Sequence, residues 1–431
     1  MMCLLPLLLS LLPGCGAPDP GSAVVVIVLD SVRADALSPW SEAARTPAVG
    51  RLAAEGTVYR QAWSQAPWTL PSVGSLLTGR YPAYLGLSDV DHQLGEGAVL
   101  LSERLQAAGF STGAVVSHEL VGRGWGFDQG YDRFDDTAVL GHRAVTSARV
   151  SDAGIDFLFA HRRERFFLLL HYFDPHHTYR RHAAFDGGEP LPGWGEGVRM
   201  RELLARAPLD AAQLARVRAD YDSEVGYTDQ QVGRVLDALD RMGLSERTAV
   251  FLLADHGEEF QEHGGLGHTR TVYEELVHVP LIVRYPGQVP AEVAAPVALL
   301  DVVPTALALA GLPPAPELEG RELLRADPGP TRRGSQERVL HTETSRQADL
   351  VAVRRGDWKL SRDRATGEER LVNLRLDPGE RRDASGESPA VEAGLRLALD
   401  AAAAASRALP VARPLDREEA AALEALGYAV E

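Results

Sequence analysis

The sequence predicts an α/β fold, with a mostly parallel sheet flanked by helices and a smaller C-terminal α+β subdomain. Two observations carry this prediction. Short apolar runs rich in β-branched residues alternate with helical patterns, and the chain changes character after its proline-rich stretches. Strands that alternate with helices are typical of a parallel sheet covered on both faces. The 431 residues are enough for one large core plus an appended subdomain.

The predicted strands are continuous apolar runs, the pattern of parallel strands that are buried on both faces. The helical patterns between them end at a glycine or begin at a capping residue. The strands are predicted at 23–29, 111–116, 166–171, 248–253 and 279–283. The helices are predicted at 47–55, 100–108 and 210–242.

The C-terminal part is predicted to be a separate unit, since proline clusters precede it at 313–316 and 327–330. Short strand-like pieces joined by hairpin-type turns follow, and the chain ends in alanine-rich helix. The pieces lie at 339–341, 350–354, 358–361 and 370–373. We therefore divide the chain into a leader (1–22), a main domain (23–330) and a C-terminal subdomain (331–431).

The composition excludes several classes of function. The formal net charge of −16 argues against a non-specific polyanion binder, so no nucleic-acid partner is expected. An acidic protein can still bind a phosphate or sulfate at a local metal site. The only cysteines are Cys3 and Cys15, so the folded body has no disulfide, thiolate metal site or cysteine nucleophile.

The N-terminus is predicted to be an export signal. The apolar run from Leu4 to Leu12 is too short to span a bilayer and has the length of a signal-peptide core. Leu12-Pro-Gly-Cys15 resembles a bacterial lipoprotein cleavage box, which implies lipidation of Cys15. The alternatives are an ordinary signal cut near Ala17 or a misassigned start. We expect an exported lipoprotein facing the periplasm or cell surface, with the membrane as a partner only through this anchor.

The segment 66–80 is predicted to place the hydroxyl of Thr69 at the mouth of a helix. Pro71 suits the first turn of that helix and Gly79 suits its end. Unpaired N–H groups at a helix N-terminus favour an anionic ester. The simpler alternative is that Thr69 only caps the helix.

Polar residues that directly follow the apolar strands are the candidates for chemistry, because ligands gather at the carboxyl ends of parallel strands. Their carboxylates and imidazoles suit zinc or manganese better than calcium or magnesium. Such a metal would activate the Thr69 hydroxyl. The candidates are Asp30, Asp255 and His256, a cluster of His171, Asp174, His176 and His177, and the glycine-rich loop with His268 and Arg270.

These motifs resemble the sulfatase family within the alkaline phosphatase superfamily. In that family the nucleophile segment ends in Leu-Leu-Thr-Gly-Arg, as residues 76–80 do here. The segment 273–287 is similar to the family's Tyr-Glu to Val-Pro-Leu-Ile-Val run, and 357–360 with 377–380 to its C-terminal signature. The resemblance implies an alkaline-phosphatase-like sheet and a metal-dependent ester hydrolase, with catalysis in the domain 23–330.

The departures from the family pattern are informative. Sulfatases oxidise a Cys or Ser to formylglycine, whereas Thr69 is neither, so no formylglycine is expected. Val73 stands where the family has an Arg that supports the modified residue. The pairs Asp30-Ser31 and Asp255-His256 replace Asp-Asp and Asp-Asn. These changes resemble phosphodiesterases and glycerophosphotransferases that use Thr with Asp-His ligands.

The resemblance implies a role for each candidate. Asp30, Thr69, Asp255 and His256 would hold one metal. His176 would contact the substrate or protonate the leaving group, and Arg270 would bind the anion. Asp174 and His268 would either complete a second metal site or support the first through hydrogen bonds.

The expected function is cleavage of a phosphate, phosphonate or sulfate ester through a covalent Thr69 intermediate. The substrate is expected to be a small molecule or an ester of a glycan or lipid. Two alternatives within the enzyme class are a sulfate ester hydrolase without formylglycine and a phospho-group transferase on envelope glycans or lipids. A binding protein with a degenerate site is the alternative from another class.

Overall fold

The computed structural model describes residues 23–141, 144–188, 191, 200–325, 338–404 and 410–428. Within these residues the strands are β1 (Ala23–Leu29), β2 (Thr57–Tyr59), β3 (Ala62–Trp63), β4 (His92–Gln93), β5 (Ser111–Val115), β6 (Arg133–Asp135), β7 (Phe166–Tyr172), β8 (Thr248–Ala254), β9 (Glu259–Phe260), β10 (Leu266–Gly267), β11 (His278–Val279), β12 (Leu281–Arg284), β13 (Ala291–Val293), β14 (Val297–Ala298), β15 (Val339–Thr344), β16 (Leu350–Arg355), β17 (Trp358–Asp363), β18 (Glu369–Asn373) and β19 (Val411–Ala412).

The α-helices alternate with the strands in the first part of the chain, as predicted. In the described residues they are α1 (Pro47–Glu55), α2 (Thr69–Thr78), α3 (Pro82–Leu85), α4 (Leu101–Ala107), α5 (Ser147–Ala160), α6 (Met200–Arg206), α7 (Ala211–Arg241), α8 (Glu274–Val277), α9 (Val302–Leu309), α10 (Pro389–Ala404) and α11 (Arg417–Ala425).

A large mixed sheet flanked by helices forms the centre of the molecule. Its strand order is β13-β2-β12-β8-β1-β7-β5-β6. The five strands from β8 to β6 are parallel to one another, whereas β12 pairs antiparallel with both β8 and β2. Every residue of β1, β7 and β8 is buried, in accord with their continuous apolar sequences. The predicted α/β class is confirmed.

One predicted strand differs from the structure. The run 279–283 was expected to be a single strand of the parallel set, but it is split at Pro280 into the end of β11 and most of β12. Proline has no N–H to donate to a ladder, so it separates two strands that pair with different partners. β11 pairs with β3, and β12 runs antiparallel in the large sheet.

The C-terminal subdomain is an antiparallel sheet with a helix on it. Strands β15 to β18 pair in chain order, close to the four predicted pieces. α10 packs Leu395 and Leu399 against Val351, Val353 and Leu360 of this sheet. The predicted boundary at 330/331 and the leader with Cys15 lie outside the described residues. No helix in the described part of the chain is both long and apolar enough to cross a membrane.

A buried ion cluster joins the subdomain to the main domain. Lys359, the only lysine in the sequence, lies on β17. Its Nζ is 3.1 Å from Glu274 Oε1 and 3.0 Å from Glu380 Oε1, and it donates to the Val272 carbonyl at 2.6 Å. Although burial opposes the ammonium charge, the two carboxylates outweigh it and raise the pKa of Lys359. Arg354 also pairs with Glu274, at 3.4 Å, so Lys359 is the cation that links Glu274 to Glu380.

We expect Lys359→Met to lower the free energy of unfolding by about 3 to 5 kcal/mol, because it leaves the buried carboxylate of Glu380 without its cation and Glu274 with Arg354 alone. Urea denaturation measures this change. The control is Arg375→Met, which breaks the exposed ion pair with Asp357 and should cost less than about 1 kcal/mol. Equal losses in the two variants would show that the buried cluster does not hold the subdomain in place.

Candidate active site

Strand register brings the central polar residues together. β1 pairs in parallel with β7 and β8, so that Leu29 lies opposite Tyr172 on one side and Ala254 on the other. Asp30 follows Leu29 directly, and its N–H still donates to the Tyr172 carbonyl at 2.9 Å. Asp255 follows Ala254 in the same way. Two carboxylates on adjacent strands therefore meet at one edge of the sheet.

His171 completes a buried group with these two carboxylates. One ligand atom from each of Asp30, His171 and Asp255 lies within 4.8 Å of the others. Within the described residues, Oδ2 of Asp30, Oδ2 of Asp255 and both ring nitrogens of His171 have no hydrogen-bond partner. Buried polar atoms are normally paired, and buried carboxylates commonly bind metals when no cation pairs with them. This donor set fits a divalent metal.

The electrostatics of the group agree with that fit. Burial, and next the charge of Asp255, raise the pKa of Asp30 well above its usual range. Burial also lowers the pKa of His171 to about 4, so its ring is neutral at physiological pH and can act as a ligand. Neutral His171 therefore does not supply the positive charge that would stabilise the two carboxylates.

The other oxygen of each carboxylate is held by short local contacts. Asp255 Oδ1 accepts from the Ser31 N–H at 3.1 Å and from the His256 N–H at 2.9 Å. The Ser31 hydroxyl donates to Asp30 Oδ1 at 2.8 Å. Ser31 adopts a left-handed conformation, with φ of 58°, which turns its N–H toward Asp255. These bonds orient both Oδ2 atoms and explain why Ser31 occupies this position.

Thr69 lies at the first turn of α2, as predicted, but it is not the N-cap. Trp68 occupies the N-cap position, and Thr69 is the first helical residue. Its Oγ1 is 3.2 Å from His256 Nε2. The His256 Nδ1–H donates to the Gly257 carbonyl at 2.8 Å, so Nε2 carries the lone pair. Ser72, one turn along, donates to the Asp255 carbonyl at 2.6 Å and ties α2 to the end of β8.

A second group consists of three histidines. Ligand atoms of His176, His177 and His268 lie within 4.8 Å of one another. His268 Nδ1 is 2.8 Å from Glu258 Oε1, and His176 Nδ1 is 2.7 Å from the His177 carbonyl. A histidine that donates one ring N–H to a carboxylate or carbonyl presents its other nitrogen as a ligand. This group can therefore bind a metal or the substrate's oxygens.

Two predicted residues have other places in the structure. Asp174 accepts hydrogen bonds from Thr146 and Ser147 at the start of α5, at 2.8 to 3.1 Å. It thus caps a helix and belongs to neither group of candidate ligands, and its pairing with His268 in a second metal site stays a prediction. Arg270 is exposed and donates to Gln347 at 2.7 Å, outside the buried groups. Asp30, Thr69, Asp255, His256, His176 and His268 do lie together.

Three further side chains reach the site. His118 Nε2 is 3.9 Å from Asp30 Oδ2, and its Nδ1 accepts from the Leu120 N–H at 2.9 Å. Tyr428 contacts Thr69, and the guanidinium of Arg346 lies 5.5 Å from the Tyr428 ring. His118 follows the predicted strand at 111–116 and could have been found by the strand-end argument. Arg346 and Tyr428 carry no local signal, because they come from the C-terminal part of the chain.

Comparison with known proteins confirms the resemblance that the motifs implied. The sequence profile of the sulfatase family matches residues 22–312. Steryl-sulfatase of Rattus norvegicus is 26% identical over 79% of this chain and 76% of its own length. Several other curated relatives match over only about a third of their length.

Solved structures with the same fold include enzymes for different esters. One is in complex with its substrate, D-glucosamine-2-N,6-O-disulfate, with a TM-score of 0.74 and 19% identity over 88% of this chain and 97% of the other. Another is a phosphonate monoester hydrolase from Silicibacter pomeroyi, with a TM-score of 0.72 and 19% identity over 88% and 94%. The chain is an ester hydrolase that belongs to the sulfatase family.

Proposed function

We propose that this enzyme cleaves a phosphate or phosphonate ester, with Thr69 as the nucleophile and one divalent metal at the strand ends. The observation that carries the proposal is the position of the Thr69 hydroxyl, 3.2 Å from His256 Nε2 and beside carboxylate oxygens that have no other partner in the described chain. A capping threonine would not need such neighbours.

The metal would be held by Asp30, Asp255 and His171, with His256 and Thr69 beside them. The mixed carboxylate and imidazole donors favour zinc or manganese over calcium or magnesium. When bound, the metal would lower the pKa of the threonine hydroxyl and would place positive charge next to the ester oxygens. His171 is an addition to the ligand set that the family resemblance implied.

The chain's own residues account for the remaining chemistry. Thr69 Oγ1 attacks phosphorus as its proton passes to His256 Nε2, and the phosphorus–oxygen bond to the alcohol breaks as the alcohol takes a proton. A Thr69 ester remains until water or an acceptor alcohol releases it. The N–H groups of the first turn of α2 favour the anionic ester. His176 lies in the histidine group next to this centre and is the proposed proton donor to the leaving group.

Phosphorus esters are favoured over sulfate esters because the features that support formylglycine chemistry are missing. Thr69 cannot be oxidised to the aldehyde that the family forms from Cys or Ser, and Val73 replaces its supporting Arg. The likeness to a phosphonate monoester hydrolase supports this preference. A sulfate ester, such as a sulfated glycan, is the second candidate because of the disulfated glucosamine in a structural neighbour. The third candidate function is transfer of the phospho group from Thr69 to an envelope glycan or lipid.

We also propose that the enzyme works outside the cytoplasm, tethered by a lipid on Cys15. The support is the short apolar run that precedes a small residue and this cysteine. One anchor would hold the enzyme near glycan and lipid esters of the envelope.

Thr69→Ala should lower kcat at least about 1,000-fold, because it removes the attacking oxygen. Steady-state turnover of a nitrophenyl ester measures this, and the unfolding midpoint shows that the fold is kept. Thr69→Ser should retain measurable turnover. Thr366→Ala, in an exposed turn, is the control and should match the wild type. Full activity of Thr69→Ala would rule out the nucleophile.

His171→Gln should weaken metal affinity by at least about 10- to 100-fold, since it removes a neutral imidazole from the group. Metal analysis after dialysis against zinc or manganese buffers measures the occupancy. His161→Gln changes a histidine that pairs with Glu164 at the surface and should leave the metal content unchanged. Equal metal content in all three proteins would place the metal elsewhere.

A panel of nitrophenyl esters should separate the candidate substrates. We expect a higher kcat/KM for a phosphate diester or a phosphonate monoester than for the sulfate ester, because the enzyme lacks formylglycine. The sulfate ester as the best substrate would instead support sulfate hydrolysis by an unmodified threonine. Addition of glycerol as acceptor, followed by product analysis, distinguishes transfer from hydrolysis.

A further inference from the structure

The last described segment of the chain, 410–428, covers the active site. Its strand β19 pairs with β4, and α11 follows. Most of α11 is exposed, with Leu423 buried, and the chain then turns inward at Leu426 and Tyr428. Thr69 has no exposed surface beneath this cover. Because Tyr428 of this segment lies 3.5 Å from Thr69 Oγ1, the segment is part of the cover over the nucleophile.

The turn that directs Tyr428 inward is a helix C-terminal motif. The Tyr428 N–H donates to the Leu423 carbonyl at 2.9 Å, and Gly427 has a positive φ of 86°. Glycine adopts this conformation without strain, which ends α11 and reverses the chain. Gly427 also packs closely: a Cβ there would lie 2.8 Å from His177 Nε2. The close packing of Gly427 on His177 thus determines how far Tyr428 extends into the site.

The Tyr428 hydroxyl reaches both halves of the site. It lies 3.5 Å from Thr69 Oγ1 and 3.5 Å from His268 Nε2. The His268 ring is oriented by its other nitrogen, which faces Glu258. Hydroxyl hydrogen bonds are usually 2.7 to 2.8 Å long, so about 3.5 Å leaves Tyr428 near both partners but not locked to either. A phenol is protonated at neutral pH and can donate a hydrogen bond.

The ring of Tyr428 is held in a specific place. Its centroid is 6.2 Å from that of Trp68, and the Arg346 guanidinium lies 5.5 Å from the Tyr428 ring and 5.8 Å from the Trp68 ring. Arg346 also pairs with Asp89. A guanidinium within 6 Å of both rings stabilises the position of the Tyr428 ring beside Trp68. The hydroxyl is therefore delivered to the nucleophile in a defined orientation.

We propose that Tyr428 is a catalytic residue whose hydroxyl donates a hydrogen bond to a non-bridging oxygen of the ester on Thr69, and that segment 410–428 opens to admit the ester and closes to place this donor. The inference rests on the proposed function. A donor aimed at an oxygen that gains charge in the transition state acts on kcat more than on KM.

Tyr428→Phe tests the hydroxyl with little change in packing. We expect kcat to fall about 10- to 100-fold, in the range for loss of one oxyanion donor, with a smaller change in KM. Inhibition by orthovanadate, a five-coordinate mimic of the transition state, should weaken in parallel. The matched control is Tyr59→Phe, which removes a buried hydroxyl that is also 3.5 Å from its partner but lies on β2. That variant should keep the wild-type kcat and inhibition.

Gly427→Ala tests whether the closed segment is needed. The new Cβ meets His177, so we expect kcat and orthovanadate affinity to fall as in Tyr428→Phe while the tyrosine is kept. Gly367→Ala is the control, because Gly367 also has a positive φ, of 77°, but has nothing within 4 Å of a Cβ. It carries the backbone strain without the contact and should leave kcat unchanged.

The outcomes separate this inference from the proposed function. Wild-type kcat and orthovanadate inhibition in Tyr428→Phe would overturn the inference alone, provided Thr69→Ala is inactive. A rise in activity in either segment variant would make the segment a plug, which also contradicts a catalytic role. If the metal-loaded wild type neither turns over an ester nor binds orthovanadate, the proposed function fails and this inference fails with it.

Discussion

The in-register parallel pairing of β8, β1 and β7 is the constraint on which the site depends. Leu29 lies opposite Ala254 and Tyr172, so Asp30 and Asp255, the residues that directly follow β1 and β8, lie side by side. His171 of β7 lies within reach of both. A slip of one residue would turn these side chains to the other face of the sheet. The apolar sequences that bury both faces thus also fix the spacing of the charges. Fold and site share one set of hydrogen bonds.

The site is electrostatically incomplete by itself. Two carboxylates and several histidines are enclosed among apolar strands, and burial lowers the pKa of His171 and of His256. These two histidines are therefore neutral and do not offset the carboxylates. Removing charge from water costs several kcal/mol per ion unless a partner is present. The apolar packing of β1, β7 and β8 offsets this free-energy cost in the folded protein. A cation bound at the strand ends would remove most of the cost.

The sequence predicted the parts of the molecule that are local. Buried strands such as β1 and β8 follow from continuous apolar runs, and Asp30 and Asp255 follow from their position after those runs. Asp174 looked similar but caps α5, since a carboxylate after a strand can meet a helix N-terminus instead of a ligand. Arg270 was assigned from the family resemblance, and a matching position in a motif does not determine which way a loop side chain points. Arg346 and Tyr428 reach the site only through tertiary packing, which no local pattern encodes.

The position of Lys359 has a consequence for how enzymes of this kind diversify. By joining the C-terminal sheet to Glu274, it fixes the sheet whose β15–β16 turn carries Arg346, one wall of the reaction centre. Arg346 and the covering segment 410–428 thus lie in the last quarter of the chain, whereas the candidate metal ligands Asp30, His171 and Asp255 come earlier. Insertions or exchanges there can reshape the pocket while the strand ends stay intact. The shape of the pocket and the ligands at the strand ends can therefore evolve at different rates in one polypeptide.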